Sequence, residues 1–366
     1  MTKILFFIDE LTGGGAEKVL RTLVNNMDQS KFQITVHTIN AADPEGLLIP
    51  GIRYRAINCC KTALGKKLFS YWIRLCAELK WLYPLYIKDD YDIEVAYLEC
   101  GPTKIIAGSS NQKAKKIAWV HCDLKKRSEF VNQTEKLKKY YQAYDTVVCV
   151  SDTVKDSYTS LFGNNPEAIV LYNVNDDNQI RSLSESFVPK KSNVPVLAVV
   201  GRLSFEKGND RLLEACSMLK TDGYDFRLWL IGDGSERQKL ELLVQKFSLS
   251  NYVDFLGFQS NPYPYMAGAD LVVVPSRYEG LSTVVTESLI LGKPVVTTPC
   301  SGMRELLGDS QFGLVTEDSV RGIYEGIKKM LDDPSLMAQY TAAAKERGLQ
   351  FTGKTILKQT EDFFLK

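Results

Sequence analysis

The chain has 366 residues, 45% of them hydrophobic and 24% charged, and its formal net charge is +1 at pH 7. This length favours two domains over a single core, and the small net charge argues against nucleic-acid binding, which needs a strongly basic domain. The 8 cysteines are scattered without a CxxC pair, which indicates a cytoplasmic protein with reduced thiols, not a disulfide framework or a zinc site.

The first apolar segment predicts a β-strand. In "MTKILFFIDE" an apolar run of only five residues stands before an aspartate, which is too short for a signal peptide. No stretch reaches the roughly 18 apolar residues of a membrane span, and the nearest, 68–87, is interrupted by Arg74, Glu78 and Lys80. The sequence therefore predicts a protein that does not cross a membrane.

Short apolar strands alternate with helical segments along the chain. The strand candidates of the first half are "KILFFI", "QITVHTI", "IEVAYL", "KKIAWVH", "TVVCVS" and "AIVLYN", with helices expected at 16–27 and 131–144. Those of the second half are "PVLAVVG", "FRLWLIG", "VDFLGF", "DLVVVP" and "PVVTTP". Continuous apolar strands that each precede a helix are typical of parallel sheets covered on both faces. The predicted fold class is therefore α/β, with two doubly wound domains.

A polar segment separates the two series of strands. Residues 182–195 carry two prolines and no periodic pattern, as expected of a linker. We expect an N-terminal domain over 1–185, a second domain over 186–340 and a C-terminal helix over 341–366.

Glycines mark the turns from strand to helix. Gly13, Gly14 and Gly15 follow the first strand, where glycine lets the backbone approach an anion or a sugar at a helix N-terminus. A tight turn without a ligand is the alternative. In "AVVGRLSFEKG" a strand ends just before Arg202, and Lys207 follows. Two such cations at the carboxyl end of a parallel strand suit a diphosphate.

Two further helix starts follow in the second half. In "LIGDGSERQKL" Ser235 is a plausible N-cap. In "YEGLSTVVTE" Glu279 lies in a loop after a buried strand, and Glu287 falls in the second turn of a helix that Ser282 or Thr283 caps. The two glutamates are therefore not a symmetric acid/base pair. The anion-binding turns and the two cations indicate one ligand class, a nucleoside diphosphate.

His121 and two basic clusters lie in the first half. His121 ends a strand, where functional residues collect, whereas His37 falls inside a strand and is expected to be structural. Residues 113–139 hold nine Lys and Arg against three acids, and residues 61–80 hold five against one. Apolar residues over 68–83 recur at helical spacing, which fits either a membrane-surface helix or a helix packed on the core.

The motifs together resemble a known family. "GGGAEK", "GRLSFEKG", "LIGDGSER", "YEGLSTVVTE" and "CSGMREL" closely resemble retaining GT-B glycosyltransferases of family 4 (group 1), of the bacterial surface-polysaccharide type. The resemblance covers essentially the whole chain. It implies two Rossmann-like domains facing each other across a cleft, with a saccharide acceptor in the first and a nucleotide-sugar donor in the second. It also implies no essential metal and no cofactor beyond the donor.

By this resemblance four residues are catalytic. Arg202 and Lys207 match the positions that neutralise the leaving diphosphate, Glu279 matches the one that addresses the hydroxyls of the donor sugar, and His121 matches a histidine near the transferred sugar. Glu287 matches the residue that holds the ribose hydroxyls. The other donor-binding residues implied are Gly14, Gly15, Gly280, Leu281, Ser282 and Thr283.

The expected function is retaining transfer of a hexose or N-acetylhexosamine from a UDP-linked donor to a saccharide on undecaprenyl diphosphate or a similar lipid. The basic clusters suit peripheral docking at the anionic inner face of the plasma membrane, and no nucleic-acid partner is expected. Three alternatives stay open: a glycosyltransferase with a soluble or protein acceptor, a nucleotide-sugar 2-epimerase of the same architecture, and a non-enzymatic nucleotide-sugar binder.

Overall fold

The computed structural model describes residues 1–12, 14–41, 43–58, 72–73, 76, 78 and 80–366. These residues form two compact units. The first unit contains Met1–Asn175 and Lys354–Lys366, and the second contains Asp176–Gly353.

The first unit is built on a parallel sheet of seven strands. In chain order these are β1 (Thr2–Ile8), β2 (Phe32–Asn40), β3 (Arg53–Asn58), β4 (Ile93–Ala96), β5 (Lys115–Val120), β6 (Thr146–Cys149) and β7 (Glu167–Val170). Their order in the sheet is β3-β2-β1-β4-β5-β6-β7. All six strands predicted for this half are confirmed, and β3 is an additional edge strand.

Helices connect these strands. They are α1 (Gly15–Asn26), α2 (Leu82–Tyr86), α3 (Gly101–Ile106), α4 (Ser128–Val131), α5 (Thr134–Tyr141) and α6 (Asp152–Phe162). The predicted helix at 16–27 corresponds to α1, whereas the one at 131–144 is two shorter helices, α4 and α5. His37 is buried on β2 and stacks on Phe7, with ring centroids 5.4 Å apart, as a structural residue does.

The second unit is built on a parallel sheet of six strands. In chain order these are β8 (Val196–Val200), β9 (Arg227–Ile231), β10 (Val253–Gly257), β11 (Leu271–Val274), β12 (Val295–Thr297) and β13 (Leu314–Val315). Their order in the sheet is β10-β9-β8-β11-β12-β13. The helices are α7 (Asp177–Ser184), α8 (Asn209–Thr221), α9 (Arg237–Lys246), α10 (Tyr263–Gly268), α11 (Thr283–Ile290), α12 (Met303–Leu307), α13 (Val320–Asp332) and α14 (Pro334–Gly348).

In both sheets the order in which strands are added reverses at the equivalent point. The chain builds outward on one side of the first strand and then crosses to the other side, so that β1 neighbours β4 in one sheet and β8 neighbours β11 in the other. In doubly wound sheets this switch point leaves a crevice at the carboxyl ends of the strands, where ligands bind. Each unit therefore offers one such crevice.

The last helix belongs to the first unit. In α15 (Gly353–Phe364) the Phe364 ring packs edge-on against Phe6 and Phe32, with centroids 5.8 and 6.4 Å away. Glu361 accepts a hydrogen bond from the backbone of Asp28 at 2.8 Å. The chain thus returns to its first sheet at its C-terminal end.

The boundary between the units falls after Asn175, earlier than the predicted boundary at residue 185. The reason is α7, which packs Ile180 against Tyr263 and Met266 of the second unit. Only the segment after α7 is polar enough to look like a linker. No helix among the described residues combines the length and the apolar composition that a membrane span requires.

Candidate functional site

Two cations follow β8 at the carboxyl edge of the second sheet. Arg202 is exposed just after the strand, and Lys207 ends a single 3-10 turn over Phe205–Lys207. Arg202 and Lys207 line one pocket together with Gly201, Asn209 and Glu279. The structure therefore brings three of the four predicted catalytic residues to one place in this unit.

Lys207 and Glu279 form a partly buried ion pair. Nζ of Lys207 lies 2.7 Å from Oε1 of Glu279, and the Ser276 hydroxyl donates to the same oxygen at 2.7 Å. Burial lowers the pKa of Lys207, but the Glu279 carboxylate outweighs burial and holds this pKa above its usual value. The ammonium is therefore charged at neutral pH. Because both bonds go to Oε1, the Oε2 atom of Glu279 can accept a bond from a ligand.

A second ion pair holds the loop that carries Glu279. Arg277 binds the carboxylate of Asp210 through two bonds of 2.8 Å and also donates to the carbonyl of Phe205 at 2.8 Å. Its guanidinium lies 4.1 Å from the centroid of the Phe205 ring. These contacts tie the loop after β11 to the turn that carries Lys207, and the sequence motifs do not identify them.

Two glycines allow the backbone to pack tightly at this edge. Gly208 has a φ of 65°, and a Cβ there would lie 2.1 Å from the carbonyl oxygen of Pro275. At Gly232, where φ is 146°, a Cβ would lie 1.9 Å from the carbonyl oxygen of Gly201. Any side chain at these positions would push apart the strand ends that carry the two cations.

Glu287 lies away from that pocket. It occupies the second turn of α11, as predicted, is 3% exposed, and accepts a hydrogen bond from the Tyr263 hydroxyl at 3.4 Å. Of the two predicted caps, Ser282 is the N-cap of this helix, and its hydroxyl accepts a bond from the N–H of Val285 at 3.5 Å. The implied donor-binding segment Gly280–Thr283 leads directly into this helix start.

The predicted cap of α9 is wrong. Its N-cap is Glu236, not Ser235, and no side chain caps the helix. The N–H of Glu236 instead donates to the carbonyl of Leu203 at 2.9 Å, and the N–H of Arg237 donates to the carbonyl of Gly234 at 3.2 Å. Backbone pairing with the Leu203 segment thus replaces the side-chain cap.

A carboxylate faces the glycine-rich turn of the first unit. Gly14 is the N-cap of α1 and Gly15 its first residue, while Gly13 is outside the described residues. A Cβ on Gly14 would lie 2.1 Å from Oε2 of Glu17. Negative charge is favourable at a helix start, but here the chain supplies it, and like charges repel. A neutral, hydroxyl-rich ligand therefore suits this turn better than a phosphate.

Asp9 follows β1 at the same edge and has a perturbed pKa. Burial, together with the charges of Glu17, Glu10 and Glu99, raises the pKa of Asp9 from 3.8 to about 7. At neutral pH its carboxyl group is therefore partly protonated. Such a group can both donate and accept hydrogen bonds, which suits contact with a hydroxyl.

His121 lies at the carboxyl end of β5, as predicted. Burial lowers the pKa of its imidazole to about 3, although a hydrogen bond with the Tyr97 backbone opposes this shift. Nε2 is buried and has no hydrogen-bond partner among the described residues, so the bond to Tyr97 is made through Nδ1. His121 is therefore neutral at pH 7, with the Nε2 lone pair available to a hydroxyl donor.

The predicted site residues thus divide between the two units. Arg202, Lys207, Glu279, Glu287 and the segment 280–283 lie in the second, whereas Gly14, Gly15 and His121 lie in the first. Within the described part of the chain, no three His, Cys, Asp or Glu side chains are placed to hold a metal ion.

The basic clusters are only partly described. Of the cations at 61–80, Lys61, Lys66, Lys67 and Arg74 lie outside the described residues. Glu78 accepts a hydrogen bond from Lys104 at 2.7 Å and lies 3.0 Å from Lys136, so it pairs with one cation of the cluster at 113–139.

Comparison with known proteins identifies the family. Residues 182–347 match the family described as "Glycosyl transferases group 1". The chain is 29% identical to the N-acetylgalactosamine-N,N'-diacetylbacillosaminyl-diphospho-undecaprenol 4-alpha-N-acetylgalactosaminyltransferase of Campylobacter jejuni over 378 aligned positions, 100% of both chains. It is 23% identical to the amylovoran biosynthesis glycosyltransferase AmsD of Erwinia amylovora, over 99% of both.

The fold is also similar to that of solved structures. Anabaena Alr3699/HepE in complex with UDP and glucose superposes with a TM-score of 0.79 at 21% identity, covering 100% of both chains. The glycosyltransferase WaaG, involved in lipopolysaccharide biosynthesis, gives a TM-score of 0.72 at 17% identity, covering 98% of this chain and 99% of that one. The chain therefore has the GT-B fold, and its residues 182–347 belong to the group 1 glycosyltransferases of family 4, which are retaining enzymes.

Proposed function

We propose that the chain transfers a hexose or N-acetylhexosamine, with retention, from a UDP-sugar to a saccharide carried on a lipid diphosphate. The main support for a nucleotide-sugar donor is the charged pocket of Arg202, Lys207 and Glu279 at the switch point of the second sheet. A lipid-diphosphate acceptor is supported by the Campylobacter jejuni relative, whose name specifies a diphospho-undecaprenol acceptor. Synthesis of a bacterial surface glycan is the process that this acceptor implies.

In the proposed mechanism, the second unit stabilises the leaving diphosphate. Arg202 and Lys207 supply positive charge where the bond from sugar to phosphate breaks, and the start of α11 adds backbone N–H groups for the phosphates. Glu279 keeps Lys207 in place through Oε1 and uses Oε2 to orient hydroxyls of the sugar. The acceptor hydroxyl attacks the anomeric carbon on the face that the diphosphate leaves and gives its proton to the departing phosphate oxygen, so neither glutamate acts as a nucleophile.

The first unit contributes neutral hydrogen-bonding groups. Nε2 of His121 accepts a bond from a hydroxyl of the reacting sugars, because the imidazole is neutral and this atom has no other partner among the described residues. In this proposal Asp9 and the backbone at Gly14 and Gly15 also bind hydroxyl groups of a sugar. A cationic imidazole could not accept this bond.

The proposal is tested by turnover with defined substrates. UDP-glucose, UDP-galactose, UDP-GlcNAc and UDP-GalNAc are each incubated with a short polyprenyl-diphosphate-linked saccharide, and the products are analysed by mass spectrometry and NMR. We expect one donor to give an α-linked product. Transfer only to soluble sugars or to protein would contradict the lipid acceptor, and conversion of UDP-GlcNAc without any acceptor would indicate the epimerase instead.

Glu287→Ala is expected to weaken UDP binding about 10–100-fold and to abolish the preference for UDP over 2'-deoxy-UDP. A hydrogen bond to a charged group contributes about 1.5–3 kcal/mol, and the proposed partner of Glu287 is the ribose. Calorimetric titration with both nucleotides measures the two affinities. Tyr263→Phe is the control, since it removes only the hydroxyl that contacts Glu287. An unchanged preference in Glu287→Ala would rule out the ribose contact.

We also propose that the first unit docks on an anionic membrane through α2. Trp81 and Leu85 lie one turn apart and are 58% and 50% exposed, with the exposed cations Lys80 and Lys88 on either side. Aromatic and aliphatic side chains beside lysines suit the interface of an anionic bilayer.

Replacing Trp81 and Leu85 together with alanine should lower affinity for anionic liposomes about tenfold or more, because their apolar area no longer leaves water. Vesicle sedimentation measures the affinity. The matched control is Leu242→Ala in α9, a residue that is 66% exposed in the second unit. Equal binding by the double variant and the control would contradict docking through α2.

A further inference from the structure

We infer that Glu99 is a positioning residue for His121, holding the backbone turn after β5 so that the imidazole meets the reacting sugars. The catalytic consequence rests on the proposed function, whereas the contact between Glu99 and the backbone of His121 lies within the first unit.

Glu99 is a buried carboxylate that bridges two strand ends. It lies shortly after β4 and is 8% exposed. Its Oε1 accepts hydrogen bonds from the N–H of His121 and from the N–H of Cys122, the latter at 3.0 Å. Since β4 and β5 are neighbours in the sheet, one side chain from the first strand end satisfies two backbone donors of the second. Buried backbone donors need such partners.

The loop that carries Glu99 is braced in an unusual conformation. Cys100, the next residue, has a φ of 65° and a ψ of −99°, a region that non-glycine residues rarely occupy. The hydroxyl of Thr103 donates to the carbonyl of Leu98 at 2.9 Å and closes the loop. Conformations of this kind cluster at functional sites, and here the strained residue directly follows the one that holds His121.

The same segment also holds the imidazole ring. The ring of His121 lies 4.8 Å from that of Tyr97, centroid to centroid, and hydrogen-bonds with the backbone of Tyr97. Tyr97 thus orients the ring and Glu99 the backbone, so the direction of Nε2 depends on both.

Glutamine can replace Glu99 in this role, whereas alanine cannot. Burial raises the pKa of Glu99 above its usual value, so the site tolerates an uncharged group, and the amide oxygen of glutamine can accept both N–H bonds. Alanine leaves the two donors unpaired. The comparison of Glu99→Gln with Glu99→Ala therefore isolates hydrogen-bond acceptance at this position.

Transfer kinetics provide the first test. We expect Glu99→Ala to lower the turnover number about 10²-fold, as displacement of a reacting group by about 1 Å does, and UDP affinity to stay unchanged because the nucleotide binds the other unit. Glu99→Gln should retain most of the activity, and Glu167→Ala, an exposed glutamate of the same unit, should retain all of it. In a His121→Ala background, Glu99→Ala should cause little additional loss. A full additional loss, or no rescue by glutamine, would overturn the inference.

NMR of ¹⁵N-histidine-labelled protein provides a test that does not need activity. The chain has only 2 histidines, so His121→Ala assigns both sets of signals. Glu99→Ala should shift the His121 amide and imidazole signals and leave those of His37 unchanged. Glu99→Gln should shift the His121 amide signal much less than Glu99→Ala does and leave the imidazole signals in place. Unshifted His121 signals in folded Glu99→Ala would overturn the inference. If no donor is transferred by the wild type, the proposed function fails, while the NMR comparison still decides the role of Glu99.

Discussion

Replacing Lys207 with alanine will lower the turnover number of sugar transfer by about 10²–10³-fold, the usual effect of removing one preorganised charge from a transition state. The ammonium lies at the switch point of the second sheet and is protonated at neutral pH, because Glu279 outweighs the effect of burial on its pKa. In the proposed reaction charge builds on the diphosphate as the bond from sugar to phosphate breaks, so the loss should fall on turnover more than on binding of intact donor. Steady-state kinetics and UDP titration measure the two effects.

Two further variants separate catalysis from folding in this prediction. Lys207→Ala leaves Glu279 without its cation, so part of any effect would come from an unpaired carboxylate. Combining Lys207→Ala with Glu279→Gln removes that charge and should recover thermal stability but not turnover. Lys239→Ala, which removes an exposed lysine paired with Glu236, should leave turnover unchanged. A Lys207→Ala enzyme within about threefold of wild type would contradict the role of this residue.

Asp9→Asn will stabilise the folded chain in mildly alkaline solution by on the order of 2–4 kcal/mol. In the wild type, the unfolded chain releases this proton near pH 3.8, whereas the folded chain keeps it until about pH 7. The free energy of unfolding therefore falls as the pH rises through that interval. Asparagine resembles the protonated side chain and carries no charge at any pH, so the advantage of the variant should grow from pH 4 to pH 7 and then level off.

Urea denaturation at several pH values measures this difference. The control is Glu10→Gln, because Glu10 is an exposed neighbour whose replacement also removes one negative charge. If the free energy of unfolding rises equally in both variants, general relief of charge repulsion explains the effect, and the burial of Asp9 does not. A gain for Asp9→Asn that is as large at pH 4 as at pH 8 would contradict the raised pKa.

The apolar strands are visible in the sequence because both faces of a parallel sheet are covered. The two strands that the pattern misses lie at sheet edges. In β3 charged residues alternate with apolar ones, as in Arg53, Tyr54 and Arg55, and among the described residues the strand pairs with β2 alone. β13 has two residues and, within the same described part of the chain, pairs with β12 alone. Edge strands need no continuous apolar run, so periodicity does not reveal them.

The charged pocket of the second unit could also be predicted in part from the sequence. Arg202 and Lys207 follow a strand within a few residues, so their location can be predicted from local sequence. The clamp between Arg277 and Asp210 joins residues 67 positions apart, and only the folded chain brings them together. Asp9 directly follows β1 as His121 directly follows β5, so its position at the edge of the sheet could have been predicted in the same way.

The two sheets repeat one strand order, yet the charged side chains at their carboxyl edges differ. Arg202 and Lys207 face the crevice of the second unit, whereas Asp9 and Glu17 lie at the corresponding edge of the first. In the proposed function the two cations attract the phosphates of the nucleotide, whereas Glu17 and the ionised fraction of Asp9 repel them, although the two sheets have equivalent crevices. We therefore propose that a few side chains, not the backbone, determine which unit binds the nucleotide.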